Sequence, residues 1–331
     1  MVTATRMFHL VCHMIKVKRL HSQDSVFPSS GCESFLPLSL CTPMTEQQPS
    51  VLLNTGAQMP LLGLGTFRLR GSEETQRVVD AALTAGYRAF DTAAVYRNEA
   101  DLGCALRDLL PKHGLTRDDI FITSKLGPRD QGSKAQQGCT QSLEQLGFDY
   151  IDLYLIHWPG TQGLGVGDKR NIENRAKSWA ALEEFYAAGK FRAIGVSNYT
   201  PGHLNELLQM CQVRPAVLQV EFHPKLAQRE LRELCRELGM CFQAYSSLGA
   251  GALLTDPVVL GVAGEWGRSS AQILLRWALQ QGVPVLPKSS QPERVGENAQ
   301  VFDFHLSEEE MERLSALDCG EKYCWDPSAV A

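Results

Sequence analysis

"RAFDTAAVYRNEADLG", residues 88–103, runs from a short apolar stretch through Asp91 and Tyr96 into an amphipathic segment. An apolar run this short, with both faces hydrophobic, reads as a strand buried on both sides. The segment after it, "NEADLGCALRDLLPKHG", carries apolar residues at helical spacing and stops at a glycine. One strand followed by one helix is the unit, and the question is how often it recurs. It recurs eight times. The apolar runs are 61–67, 88–93, 120–126, 151–158, 192–198, 217–222, 241–246 and 283–289, each followed by a helical pattern. Several of those patterns end at the glycine expected just past a helix, as at Gly86, Gly147, Gly189, Gly239 and Gly282. Before the first unit, "VLLNTGAQMPLL" reads as a hairpin turning at Asn54-Thr55-Gly56. The expected fold is a single-domain α/β (β/α)8 TIM barrel over residues 44–331, with this N-terminal β-hairpin closing its bottom.

A doubly wound dinucleotide domain does not fit. No G-x-G-x-x-G lies at a strand-to-helix junction; "GLGVG" (163–167) and "GAGA" (249–252) have the wrong spacing and fall in loops. Composition narrows the function classes further. The 331 residues are 44% hydrophobic and 21% charged, ordinary for a globular chain, and the net charge of −5 argues against a nucleic-acid partner. No apolar stretch reaches the roughly 20 residues that cross a bilayer, so no membrane partner is expected. Ten cysteines are scattered without CxxC or zinc spacing, which points to reduced thiols, a cytoplasmic location and no metal. A hydrolase barrel built on a metal would need His-x-His and carboxylate ligands at its rim, and these are missing.

Barrel chemistry gathers where the strands end. Strand 2 ends at Asp91 with Tyr96 just beyond, strand 3 at Lys125 and strand 4 at His157, so four side chains from adjacent strands should converge. Taken singly each has an ordinary explanation: a capping aspartate, a half-buried loop tyrosine, a snorkelling lysine, a core histidine. Together they are chemically complementary. A lysine ammonium beside Tyr96 is expected to lower the phenol's pKa toward neutrality, Asp91 to keep that ammonium charged, and His157 to hold a substrate oxygen by a hydrogen bond. After the eighth run, "PKSSQPER" sets Lys288, Ser289 and Arg294 at a helix start, a combination suited to a phosphate.

"GLGTF", "AFDTAAVYRNEADLG", "ITSKL", "DYIDLYLIHWP", "IGVSNY", "QVEFHP", "AYSSLG" and "LPKSSQPERVGENAQVFDF" resemble, in order and over about residues 51–326, the signature blocks of the aldo-keto reductases. The resemblance implies NADPH bound extended across the rim and the reduction of aldehydes or ketones to alcohols. By position, Tyr96 resembles the general acid, with Asp91, Lys125 and His157 completing a tetrad. Ser197, Asn198 and Gln219 match residues that hold the nicotinamide carboxamide, and Tyr245 the aromatic stacked on that ring. Thr66 and Asp91 match contacts near the nicotinamide end, while Ser246, Ser247, Leu248 and Gly249 resemble the loop over the pyrophosphate. Lys288, Ser289 and Arg294 fall where the adenosine 2′-phosphate sits, which favours NADPH over NADH, and Glu297 and Asn298 resemble adenine contacts.

The chain departs from the longer animal members in three places. The loop after His157 is short and glycine-rich, "GAGALLTDP" lacks a long insertion, and the chain stops soon after Trp325. These features resemble the compact branch that reduces glyoxal and methylglyoxal, with aromatic aldehydes also fitting an open pocket walled by Phe67, Trp158 and Trp325 together with Tyr96 and His157. A small carbonyl compound is the expected partner and a monomer the expected state. Two alternatives stay open: an interaction or structural role like the family's channel-associated and lens proteins, and a ketosteroid or prostaglandin reductase. Residues 1–43 differ in kind, with Arg6, Lys16, Lys18 and Arg19 against Asp24 and Glu33, and a Ser- and Pro-rich end. They read as a disordered or artefactual extension with Met44 as an alternative start, or as a mitochondrial targeting segment.

Overall fold

The computed structural model describes residues 48–331; the extension expected over 1–43 lies outside the described residues. Two short strands, β1 (Ser50–Leu52) and β2 (Gln58–Pro60), pair antiparallel. Their turn closes through Leu53 N–H to Ala57 O at 2.9 Å, with Gly56 at φ 86°, a left-handed conformation that glycine adopts without strain. Then β3 (Gly63–Gly65), β4 (Ala89–Asp91), β5 (Phe121–Leu126), β6 (Leu153–Ile156), β7 (Ile194–Ser197), β8 (Val217–Glu221) and β9 (Cys241–Tyr245) form one parallel sheet in sequence order.

The eighth expected strand is present only as a stitch. Val285 bridges Leu62 on one side and Ala244 on the other, so the run at 283–289 closes the ring without a ladder of its own. The reason lies in the sequence. Pro284 and Pro287 carry no N–H, leaving Val285 N–H to Leu61 O (2.8 Å), Gly63 N–H to Val285 O (2.9 Å), Ala244 N–H to Pro284 O (2.8 Å) and Gly65 N–H to Pro287 O (3.0 Å). The ring is a (β/α)8 barrel.

Around it lie α1 (Gly71–Thr84), α2 (Glu99–Leu109), α3 (Ala135–Leu146), α4 (Arg170–Ala187), α5 (Pro201–Met210), α6 (Arg229–Leu238), α7 (Pro257–Trp266), α8 (Ser270–Gln280), α9 (Pro292–Ala299) and α10 (Glu308–Ser315). Eight of these match the expected helical patterns. The other two, α7 and α10, are additional. Both carry start signals in the sequence: Asp256 caps α7 ahead of Pro257, and Ser307 with Glu310 forms a capping box on α10.

Two apolar layers hold the barrel. The larger lies between strands and helices and includes Trp179, Trp277, Tyr154 and Phe222, all fully buried. The smaller fills the end where the strands begin: Leu53 and Met59 of the hairpin pack with Ala89, Phe121, Leu153, Leu155 and Val217. The hairpin therefore plugs the bottom, as expected, and leaves the opposite rim open for a site. Gly195 marks one tight joint, since a Cβ there would run into the backbone oxygen of Val217.

Candidate active site

At the open rim the first residue to place is Lys125. Its strand is buried along its whole length, and its side chain is fully sequestered. An ammonium there requires a counter-charge, and Asp91, ending the neighbouring strand β4, supplies it at 2.5 Å. A second Lys125 N–H goes to Thr92 O at 2.9 Å. The other Asp91 oxygen accepts Gln219 Nε2 at 2.8 Å, so the carboxylate joins β4, β5 and β8.

Tyr96 lies in a single helical turn, Ala94–Tyr96, stopped by Arg97 in the left-handed conformation. Its ring centroid is 5.1 Å from Lys125 Nζ and 5.6 Å from the imidazole of His157, edge to face. His157 follows β6 directly and stacks on Trp158, which meets Trp325 edge-on at 4.9 Å; Phe67 lies 5.1 Å from Tyr96 on the other side. Phe67 and Trp325 are half-exposed, forming an aromatic mouth. The four expected acid–base residues and the three expected walls thus come together.

The electrostatics differ from the sequence expectation in one respect. The Tyr96 phenol is pushed well above its ordinary value of 10.0, by burial first, then by the Asp91 carboxylate and Cys324. Lys125, held in direct contact with Asp91, does not offset this rise. Burial lowers the pKa of Lys125 itself, against the opposing pull of Asp91. Tyr96 therefore holds its proton throughout the physiological range. His157 is driven well below 6.5 by burial and by Lys125, so it is a neutral imidazole with one N–H to offer. Its Nδ1 is buried with no hydrogen-bond partner.

The residues expected around the nicotinamide are interlocked. Asn198, directly after β7, sits at φ 62°, a strained conformation for a non-glycine. It is held there by Nδ2 bonds to His157 O (2.9 Å) and Ser197 Oγ (3.0 Å), and by Tyr245 O–H to its Oδ1 (2.6 Å). Gln219 and Ser197 are paired in register on β8 and β7. Thr66 bonds Asp91 O through both N–H and Oγ1.

Further along the rim come Ser246, also at positive φ, then Ser247, whose buried Oγ has no partner, and Leu248, packed against the large core. Lys288 and Ser289 follow the Val285 stitch, and Ser289 Oγ accepts Gln291 N–H at 3.1 Å. Arg294 is exposed on α9, with Glu297 half-buried and Asn298 buried on the same helix. Among the described residues neither Lys288 nor Arg294 makes a salt bridge, so two free cations stand at the start of α9. Unpartnered Ser247 and His157 atoms and these cations fit a ligand with a hydrogen-bonding head and an anionic tail.

Sequence reading passed over three buried polar residues here. Asn98 ties Thr92 Oγ1 (2.7 Å) to Thr66 O (2.9 Å), and Glu99 accepts Ser124 Oγ at 2.6 Å. Glu221, at the end of β8, binds the C-terminal segment. The signal available was position: a carboxylate closing a buried strand deserves a partner as much as Asp91 does.

Comparison with known proteins agrees with this geometry. The sequence pattern of the Aldo/keto reductase family matches residues 61–318. A glyoxal reductase of Bacillus subtilis is 43% identical over 287 residues, covering 86% of this chain and 99% of its own. An aldo-keto reductase of Mycolicibacterium smegmatis is 43% identical over 280 residues, covering 84% and 97%. Among solved structures, the aldo-keto reductase MGS-M4 from a Medee basin deep-sea metagenome library superposes with a TM-score of 0.78 at 37% identity, covering 85% of this chain and all of that one. The aldose reductase of Schistosoma japonicum gives a TM-score of 0.75 at 37% identity, covering 83% and 94%. The chain belongs to the aldo/keto reductase family, whose members are oxidoreductases acting on carbonyl compounds.

Proposed function

We propose that the protein reduces small aldehydes and ketones, glyoxal, methylglyoxal and aromatic aldehydes among them, to alcohols with NADPH. The observation that carries this reading is the buried Lys125–Asp91 pair beneath Tyr96, with neutral His157 edge-on to the same ring. NADPH supplies the hydride when bound. Ser197, Asn198 and Gln219 would hold its carboxamide, Tyr245 its ring, Ser246 to Leu248 its pyrophosphate, Lys288, Ser289 and Arg294 its 2′-phosphate, and Glu297 and Asn298 its adenine.

The chain's own residues do the rest. The His157 N–H orients the carbonyl oxygen toward Tyr96, which gives its proton to that oxygen as negative charge develops on it. An alkoxide is a much stronger base than a phenolate, so a raised phenol pKa does not prevent the transfer. Lys125 keeps positive charge near the phenolate left behind, and Asp91 keeps Lys125 charged. Phe67, Trp158 and Trp325 exclude water from one side of the mouth and favour flat substrates.

NADPH oxidation against glyoxal, methylglyoxal and benzaldehyde, with Tyr96→Phe in parallel, tests the reading. Turnover of at least one of these by the wild type and its near-loss in Tyr96→Phe are expected. Undiminished turnover in the variant removes Tyr96 as the acid.

A further inference from the structure

The C-terminal segment 319–325 crosses the rim as a strap, and one buried carboxylate clasps it. Glu221, at the C-terminal end of β8, accepts the backbone N–H of Tyr323 at 2.7 Å and of Cys324 at 3.2 Å. Its Oε1 also meets His223 Nε2 at 3.1 Å, and the His223 ring lies 5.1 Å from that of Tyr323. A second tie is nearby: Lys225 O accepts N–H bonds from Cys319 (3.3 Å) and Glu321 (3.0 Å).

Directly after the clasped pair comes Trp325, which closes edge-on against Trp158. Strap residues Lys322 and Trp325, with Pro327 just beyond, also line a cleft of about 340 Å³ together with Asn198, Glu221 and Tyr245. The strap therefore shapes the mouth, and the Glu221 bonds fix where its tryptophan stands.

We infer that Glu221 is a positioning residue for substrate selection: by gripping the amides of Tyr323 and Cys324 it sets Trp325 against Trp158 and so determines how well the site receives bulky aromatic aldehydes relative to small dicarbonyls. Charge-assisted bonds from backbone N–H to carboxylate are stronger and shorter than neutral ones, which makes this a stiff hinge point. Replacing the carboxylate by a carboxamide keeps the volume, removes the charge and turns one of the two acceptors into a donor facing an N–H. The inference rests on the carbonyl-reductase reading above, but touches none of the residues assigned there to proton transfer or cofactor.

The test uses Glu221→Gln, Trp325→Ala and the double variant, with NADPH, glyoxal and benzaldehyde. Glu221→Gln is expected to raise KM for benzaldehyde about 10- to 100-fold, the range of one lost charge-assisted hydrogen bond, with kcat within twofold and KM for glyoxal within twofold. Trp325→Ala should likewise raise KM for benzaldehyde, and the double variant should add little to that rise, because both act through one contact. Amide exchange at Tyr323 and Cys324 should accelerate in Glu221→Gln. Equal losses on both aldehydes, full additivity in the double variant, or unchanged amide protection would each overturn the inference. Because wild-type turnover and the effect of Tyr96→Phe are read in the same assay, failure of the reductase reading is seen separately.

Discussion

Two buried aspartates, one at each end of the barrel, show what distinguishes a joint from a site. Asp152, at the bottom just before β6, accepts Ile122 N–H at 2.9 Å and Arg117 Nη2 at 2.6 Å, with Arg192 3.5 Å away. Both arginines stack on Tyr150, and Arg192 reaches solvent. Burial raises the pKa of Asp152 despite these partners, yet its charge is tied to backbone and to cations that can relax into water. Asp91, at the rim, faces a lysine with no exposure at all and a glutamine that is itself part of the site. Around Asp152 the planar arginine forks cross-link consecutive strands. Around Asp91 an ammonium with a donor to spare is held under a tyrosine ring. The first arrangement stiffens the fold; the second stores charge where a reaction can use it.

Several measurements bear on that contrast. The largest effect should come from paired tyrosine substitutions. Tyr96→Phe is expected to cut kcat by roughly 10²- to 10⁴-fold, the usual worth of a general acid, whereas Tyr150→Phe at the bottom should leave kcat within twofold. Comparable losses in both would erase the distinction between the ends.

Next comes the fate of each aspartate's partner. Lys125→Met strands a buried carboxylate and should cost about 3–5 kcal/mol of stability in urea unfolding, whereas Asp152→Asn, whose cations can relax into water, should cost less. Only Lys125→Met should also lower kcat of the folded fraction, by about 10²-fold. An intact kcat in Lys125→Met would reduce Asp91–Lys125 to a joint like the other.

A smaller effect separates the rim's own two ends. Arg294→Ala should weaken NADPH binding by about 10- to 100-fold, as for the loss of a charged hydrogen bond, and leave NADH binding unchanged; equal losses would break the 2′-phosphate assignment.

The smallest is a pH effect on His157. Its folded pKa lies well below 6.5, so between that value and 6.5 the unfolded chain binds more protons than the folded one. Stability must then fall as pH drops through this window, by at most about 1.4 kcal/mol per unit. His157→Gln should flatten the difference in unfolding free energy between pH 7 and pH 5.5 by about that amount. A slope unchanged by the substitution would mean that His157 is not buried neutral.

The barrel was readable because its rhythm is carried by apolar runs and glycine stops, which local physics dictates. What escaped was set by backbone bonding at a distance. The run at 283–289 looks as apolar as its neighbours, but Pro284 and Pro287 limit it to a bridge. The helix at Pro257–Trp266 is mostly apolar and lacks the alternating faces that make the others visible, although Asp256-Pro257 announces its start. In the site, side-chain identities at strand ends located Asp91, Tyr96, Lys125 and His157. The direction of the Tyr96 shift was not legible, since it depends on how dry the pocket is and on the Asp91 carboxylate nearby. Glu221 was overlooked because its partners are backbone amides more than a hundred positions away, which no local pattern encodes.

The single-residue stitch at Val285 has a mechanical meaning. A closed ring parts where the fewest bonds cross. Three backbone bonds join the run at 283–289 to the first stave, and one, Ala244 N–H to Pro284 O, joins it to β9. Slow breathing of this barrel should therefore begin between β9 and that run, and exchange of the Ala244 amide should report it. The same run leads to Lys288 and Arg294. Any long anionic molecule lying across this seam would act as a hoop, and its departure would leave the vessel looser on that side than on any other.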